Sequence, residues 1–387
     1  MKRAVVFVAS LVVAVVLASF LVPAREPNSV SIQGKSVLAW AAELNGSTPS
    51  AAVEIFRQAG EEAVPSLISA LEQKGPLIKR PLFTIAGKLP DRLAYRLGYA
   101  LGANEINQSR SRAAQALEII GPKARAARPA LRNALWDADL NLAMRAAFAL
   151  ASIGEEAVPD LVTALKAANA QRRAIAIHAL GRVGTEAHQA APVLIQLLED
   201  DTPENADQAA RSLGRIGRGA VPELVPVLGH PRFAVRIRAV SAFAEMGPMA
   251  REALGPLIER LKNEKVEEVR GRIVEALGRI RPSSETVVLA LGDALKDEDS
   301  GVRTKAAQAL GHGLQSAEPA VPALIDALKD ASTGVRVSAA DTLGTIGVAA
   351  QRAIPELSAM ASHTNELIAL RARKALRKIK PDDTLER

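Results

Sequence analysis

The amino-acid sequence predicts an all-α fold, a right-handed α-solenoid of about ten helix pairs. One observation is an internal repeat, which is clearest at Asp297 to Gly313 and again at Asp330 to Gly347. A second is a core column that recurs every 30 to 34 residues, at Leu117, Leu150, Leu180, Leu213, Phe243, Leu277, Leu310, Leu343 and Leu376. A third is that no stretch of residues 50–380 alternates with the period of a strand. Repeats of this length are typical of stacked supersecondary units.

Each repeat is predicted to contain two helices. Val335, Ala339 and Leu343 fall at helical spacing and form an apolar stripe. Glycines that should end such helices in the left-handed conformation follow the stripe at positions 121, 154, 184, 217, 247 and 347. A proline then begins the next helix, where its missing N–H has no intrahelical partner to lose. The second helices are predicted to begin near Gln108, Leu140, Ala170, Asn205, Ala234, Glu268, Gly301, Gly334 and Leu367.

The repeated motifs resemble HEAT repeats. They comprise the sequences AAxALG and AVPxLxxAL together with the Val-Arg pairs that end at Arg236, Arg270, Arg303 and Arg336. The match is closest to the short HEAT-like type first described in phycobilisome lyases, and it covers roughly residues 50–380. This resemblance implies an armadillo/HEAT-like superhelix whose second helices line a concave face. It implies little about function, because such arrays serve many partners.

The N-terminus is a separate element. Lys2 and Arg3 precede an uninterrupted apolar run over residues 4–22, and Ala24 follows as a small residue. This pattern resembles a secretory signal peptide, but the run is also close to the ~20 residues that span a bilayer. Residues 1–24 are therefore predicted to be a signal peptide or an N-terminal membrane anchor. Both alternatives place the protein outside the cytoplasm, in the periplasm or the extracellular space, and in the second it is anchored to the inner membrane.

The remaining boundaries follow from proline, glycine and the repeat register. Residues 25–50 are predicted to be a linker with a capping helix, in which Trp40 supplies the main contact. The array occupies residues 51–380 and includes a divergent unit at 75–107, where the usual repeat signals are missing. Residues 381–387 form a polar tail.

The composition excludes several kinds of chemistry. The chain has no cysteine, which removes disulfides, thiolate metal sites and cysteine nucleophiles. None of the five histidines is followed by glutamate, so the iron site of the HEAT-like deoxyhypusine hydroxylases, built from His-Glu pairs, is not implied here. The zincin, serine-hydrolase and Walker motifs are also absent. No catalytic, cofactor-binding or metal-binding residue is predicted.

The net charge of +7 is concentrated in two columns of basic residues. The first contains Arg110, Arg173, Arg236, Arg270, Arg303 and Arg336. Acidic residues recur in the turn before these arginines, at Asp137, Asp200, Glu264, Asp297 and Asp330. In HEAT-like arrays such pairs link the turn to the helix, so the resemblance implies a structural role for this column.

The second column lies two residues further along each helix, about 200° around its axis. Its members are Arg112, Arg145, Arg238, Arg272, Lys305 and Arg371. Along the concave face these cations could attract an acidic partner, and they are the candidate partner-binding residues. The alternative is a solvated flank whose long side chains cover apolar surface.

The function predicted from these observations is that of a non-catalytic, exported scaffold or adaptor, which binds a protein partner on its concave face. It is expected to be monomeric, to need no cofactor and to meet a membrane only through its N-terminal segment. One alternative is an enzyme subunit of the phycobilisome-lyase type. A further alternative is a nucleic-acid-binding HEAT-like protein, which the aromatic content of 3% disfavours because few rings are present for base stacking.

Overall fold

A computed structural model of the chain describes residues 30–46, 49–73, 103–280, 285–311 and 318–380. The predictions for residues 1–24, for 381–387 and for most of the divergent unit lie outside these ranges. The described residues fall into two compact units, divided between Val183 and Gly184. None of the described helices combines the length and the hydropathy that a membrane-spanning segment requires.

The first unit begins with a short hairpin and continues with helices. Its elements are β1 Ser31–Ile32, β2 Lys35–Ser36, α1 Val37–Glu43, α2 Pro49–Ala59, α3 Val64–Leu71, α4 Ala103–Ile120, α5 Arg128–Leu135, α6 Leu140–Ile153, α7 Val158–Leu165 and α8 Ala170–Val183. The two strands are antiparallel, and Ser31 is paired with Ser36. Helix α4 packs on α6 and α6 packs on α8, while α5 and α7 cover one side of this row.

The second unit repeats the same arrangement of helices. These are α9 Ala191–Gln196, α10 Pro203–Ile216, α11 Val221–Leu224, α12 Phe233–Met246, α13 Leu254–Asn263, α14 Glu267–Ile280, α15 Glu285–Ala294, α16 Ser300–Gly311, α17 Val321–Ala327, α18 Thr333–Ile346, α19 Ile354–Met360 and α20 Glu366–Ile379. The even-numbered helices from α10 to α20 pack on one another in succession. The prediction of an all-α solenoid of stacked helix pairs is therefore confirmed in both units.

Short 3₁₀ helices connect these elements. They are Gly60–Ala63, Gly121–Ala127, Glu155–Ala157, Gly184–Ala190, Leu197–Glu199, Gly217–Ala220, Val225–Gly229, Gly247–Ala253, Glu318–Ala320 and Gly347–Ala353. All six predicted glycines have a positive φ. At Gly217 φ is +72°, a conformation that residues with a side chain rarely adopt, so the backbone there favours glycine.

The predicted starts of the second helices are confirmed to within two residues, except the first. Helix α4 begins at Ala103 rather than near Gln108. The core column is also confirmed: its members from Leu117 to Leu343 are at most 1% exposed. Leu376 is half-exposed because no later described helix covers α20.

Helix α1 packs against α2, α3 and α4. Its buried residues are Val37 and Ala41, and Leu44 follows them. Trp40, which is expected to supply the main contact, is half-buried. Its indole donates a 2.9 Å hydrogen bond to the Ile32 carbonyl of the hairpin, and the Lys35 ammonium lies over the ring.

Candidate protein-binding surface

The first basic column forms a ladder of ion pairs between successive repeats. Arg270 donates to both carboxylate oxygens of Asp297 at 2.8 and 2.9 Å, and Arg303 donates to Asp330 at 2.8 and 3.0 Å. In the first unit Arg110 lies 2.8 Å from Asp137. The structural role is thus confirmed for these arginines, with one correction. The carboxylate partner belongs to the turn of the following repeat, because the guanidinium of each arginine reaches across the interface between repeats.

Each ion pair of the ladder also orders two turns. Arg303 Nη1 donates to the carbonyls of Asp297 and Glu298 in its own turn. Asp330 accepts the backbone N–H of Ser332 at 2.7 Å in the next turn. The hydrogen bonds from Arg303 hold the pKa of Asp330 below its ordinary value, aided by the Ser332 N–H and opposed by partial burial. A single pair therefore fixes the geometry of both turns and their distance from each other.

Glu264 is the most buried carboxylate of this ladder, with its side chain 1% exposed. Arg236 donates to both of its oxygens at 2.8 Å, and Arg260 donates to one of them at 2.6 Å. Burial alone would raise the pKa of Glu264. The hydrogen bonds from Arg236, the Val266 N–H and Arg260 outweigh burial, so the pKa lies below its ordinary value. The carboxylate is fully satisfied and structural.

The ladder changes at Arg336, because His363 stands where the next carboxylate would be. Arg336 donates to the carbonyls of Asp330 and Ala331 and to the Thr333 hydroxyl. Its Nε atom is buried and has no hydrogen-bond partner among the residues that the structure describes. A carboxylate at this place would accept hydrogen bonds both from the arginine and from a backbone N–H of its own turn. His363 makes only the second of these, since its Nδ1 accepts the Asn365 N–H at 2.9 Å.

The second column, which contains the candidate partner-binding residues, contacts carboxylates in the second unit. Arg238 donates to Asp207 at 2.8 Å, and Arg371 lies 3.1 Å from Asp341. Both Arg272 and Lys305 lie 3.1 Å from Glu275. Partner binding by these four residues stays a prediction, and each of them already contacts a carboxylate within the chain. Sequence reasoning missed the acids, although Glu275 and Asp341 each lie 30 residues before the cation of the next repeat.

These paired charges line a groove between α10, α12 and α14. Its volume is about 330 Å³, and Asp207, Arg238, Arg272 and Glu275 all contribute to its wall. Ala244 forms an uncharged part of the floor. All of these residues belong to the even-numbered helices of successive repeats. The groove therefore follows the direction in which the repeats stack.

Arg112 and Arg145, the candidates in the first unit, have a different environment. They line a cavity of about 490 Å³ between the Asn45 segment, α4 and α6. Amides and one hydroxyl make up most of the wall: Asn45, Asn107, Gln108, Ser111, Gln115 and Asn141. Among the described residues neither arginine has a carboxylate partner, and Arg112 makes one long hydrogen bond of 3.4 Å to Gln108.

The cavity wall contains one carboxylate, Asp139, which is already engaged. Asp139 caps α6 by accepting the N–H groups of Asn141 and Leu142 at 2.9 and 3.4 Å. Negative charge at this position is favoured by the helix N-terminus. Among the described residues, two cations without a carboxylate partner and several side-chain amides are therefore presented at one place.

Within the described ranges no group of three or more histidine or acidic side chains is arranged to hold a metal ion. In place of such a group, the described surface offers two polar concave regions that are lined mainly by even-numbered helices. A smaller one, of about 150 Å³, is lined by the odd-numbered helices α13 and α15 and by Asp297.

Comparison with known families identifies the repeats. The family described as HEAT repeats matches residues 128–206, 191–278, 254–330 and 321–387. These segments together cover well over half of the chain. No protein with a curated function matches.

Comparison with solved structures finds similar solenoids. The karyopherin Kap121p, bound to the extreme C-terminus of the protein phosphatase Cdc14p, is 14% identical with a TM-score of 0.54. This match covers 89% of the present chain and 47% of the karyopherin. An engineered protein is 22% identical over 89% of this chain and 98% of its own, with a TM-score of 0.42. Human deoxyhypusine hydroxylase in complex with glycerol is 25% identical over 66% of this chain and 96% of its own, with a TM-score of 0.31.

Proposed function

We propose, from the premise that this chain belongs to the HEAT-repeat family, that it is a non-catalytic scaffold for a protein partner. The observation that carries the proposal is that each unit has a concave region on its even-numbered helices, a groove in the second unit and a larger cavity in the first. Preformed concave surfaces of this kind bind a ligand without a large ordering cost. The karyopherin that shares this fold also holds a polypeptide segment of another protein.

Export is part of the proposal. It is supported by the basic start, the apolar run over residues 4–22 and the small residue at Ala24. The chain would then act outside the cytoplasm, as a monomer that is either released by cleavage or tethered by its N-terminal segment. Packing and the ion pairs between repeats would hold the array together there without disulfides, because the chain has no cysteine.

The nucleic-acid alternative has less support. Affinity for a phosphate backbone comes from cations that displace counterions, and in the second unit the candidate cations already contact Asp207, Glu275 and Asp341. The lyase-type enzyme alternative rests on the resemblance of the repeats alone. We therefore rank the scaffold first.

Site-specific photocrosslinking in the producing organism tests the proposal. A photoreactive residue is placed at Met144 or Ala244 on the even-numbered helices, and at Thr163 or Asp326 on the odd-numbered helices as matched exposed controls. We expect one protein adduct that forms from the first pair and not from the controls. Equal crosslinking from all four positions, or from none of them, would overturn the scaffold proposal.

A further inference from the structure

We propose that the cavity of the first unit is the anchoring site for an acidic, extended peptide segment of the partner. The proposal rests on the scaffold function and adds the chemistry of its ligand. Arg112 and Arg145 would pair with two carboxylates of that segment, and the surrounding amides would bind its main chain. The cavity volume of about 490 Å³ is sufficient for a few residues of extended chain.

The positions of the cavity residues on their helices bring these groups together. Asn107, Ser111 and Gln115 are spaced four residues apart on α4, so they form one stripe along the same face. Asn141 and Arg145 have the same spacing on the neighbouring helix α6. Since α4 and α6 pack side by side, the two polar stripes face one cavity.

The charge of the cavity selects an anion. Arg112 and Arg145 have no carboxylate partner within the described part of the chain, whereas Asp139 is committed to the N-terminus of α6. A guanidinium offers two parallel donors that match the two oxygens of a carboxylate. In the second unit, carboxylates of the chain itself already contact the corresponding cations. Carboxylates are therefore the kind of group that Arg112 and Arg145 would bind.

The amides favour a peptide over other anions. A primary amide carries both donors and an acceptor, as a peptide bond does, so asparagine and glutamine can bind a main chain whatever its side chains are. Nucleic acid would require stacking surfaces as well as cations, and among the described residues no aromatic side chain lines the cavity. A small carboxylic acid would use the arginines but leave most of the amide stripe without a ligand.

The test is fluorescence anisotropy with the full chain in a mild detergent and a labelled peptide of eight glutamates as the probe. We expect this peptide to bind more tightly than a glycine-serine peptide of equal length. The double variant Arg112→Gln with Arg145→Gln should weaken the binding about tenfold, since two exposed ion pairs are lost. The matched control, Arg125→Gln with Lys166→Gln, removes the same charge from exposed positions of the same unit outside the cavity, and it should change the affinity less than twofold.

Other outcomes would overturn the proposal. Equal losses in both double variants would mean that only the net charge attracts the peptide. Equal competition by free glutarate would identify a site for small carboxylic acids, and equal competition by an oligothymidylate of eight nucleotides would identify a general polyanion site. If the glutamate peptide does not bind but crosslinks still form at Met144 and Ala244, the scaffold function stands and this anchoring site is wrong. If the peptide binds but no partner is ever crosslinked, the site survives and the scaffold function fails.

Discussion

The same column of basic residues has opposite environments in the two units of this protein. In the second unit Arg238, Lys305 and Arg371 are paired with carboxylates of the preceding even-numbered helix, and Arg272 is paired with Glu275 of its own helix. In the first unit Arg112 and Arg145 face a cavity without such partners among the described residues. The difference lies in whether the preceding helix supplies an acid at the right position. A periodic column of charge therefore identifies a surface but does not by itself identify a binding site.

The largest expected effect concerns the core, which should not differ between the units. Leu150→Ala in the first unit and Leu310→Ala in the second each remove a side chain that is at most 1% exposed. Each should lower the free energy of unfolding by about 2–5 kcal/mol. Hydrogen exchange measured by mass spectrometry should show the loss mainly in the mutated repeat and its neighbours. A uniform loss of protection over both units would contradict nearest-neighbour coupling.

The ion-pair ladder should come next in size. Arg270→Gln leaves Asp297 with an unpaired and largely buried charge, so we expect the second unit to lose about 3 kcal/mol of stability. Urea unfolding followed by circular dichroism measures this change. Arg145→Gln is the comparison in the first unit and should cost less than about 0.5 kcal/mol. Equal losses of stability in the two variants would show that the first column is no more structural than the second.

Acidification should affect the second unit more than the first. The pKa values of Asp330 and Glu264 are lowered on folding from ordinary values of 3.8 and 4.5. Their contribution to stability is therefore complete above about pH 4.5, and it is lost as the pH falls towards the lower folded-state values. Hydrogen exchange between pH 6 and pH 3, corrected for the intrinsic rate, should lose protection first near α14 to α18. Prior loss in α4 to α8 would argue against this assignment.

A smaller, stabilising effect is expected at Arg336, where the ladder lacks an ion pair. His363→Asp would give the buried Nε of Arg336 a carboxylate partner and could still accept the Asn365 N–H. We expect a gain of about 1 kcal/mol at neutral pH. The variant Arg336→Gln with His363→Asp is the control, in which the gain should disappear. An equal gain in both variants would mean that the aspartate acts only as a cap of α20.

Much of the fold could be predicted from the sequence because the same helix-end and helix-start signals recur in successive repeats. Gly217 and Pro222 mark the same junction in one repeat that Gly347 and Pro355 mark in another, so chance matches are averaged out. The start of α4 was predicted five residues late, because the irregular segment before it gives no register. The hydrogen bond from Trp40 to the hairpin was not predicted, since a single aromatic residue does not reveal which backbone carbonyl its N–H will reach.

The candidate site could be predicted only in part. The columns define which side of each helix a cation occupies, but ion pairing depends on residues from another helix. The acidic partner of Arg303, for example, lies one repeat further along the chain than the sequence suggested. The amide stripe from Asn107 to Gln115 was missed because uncharged polar residues at helical spacing have no distinctive pattern. The distance of Asn45 from α4 in the sequence concealed its place in the same cavity.

The central claim is that a partner is anchored where the cations are unpaired, and mapping a bound acidic peptide tests it most directly. A peptide of eight glutamates with one photoreactive residue is crosslinked to the full chain, and the modified residues are identified by mass spectrometry. We predict adducts on α4 and α6, around Met144, which disappear when Arg112 and Arg145 are replaced by glutamine. Adducts that lie mainly on α12 and α14, beside the paired Arg238 and Arg272, would contradict it.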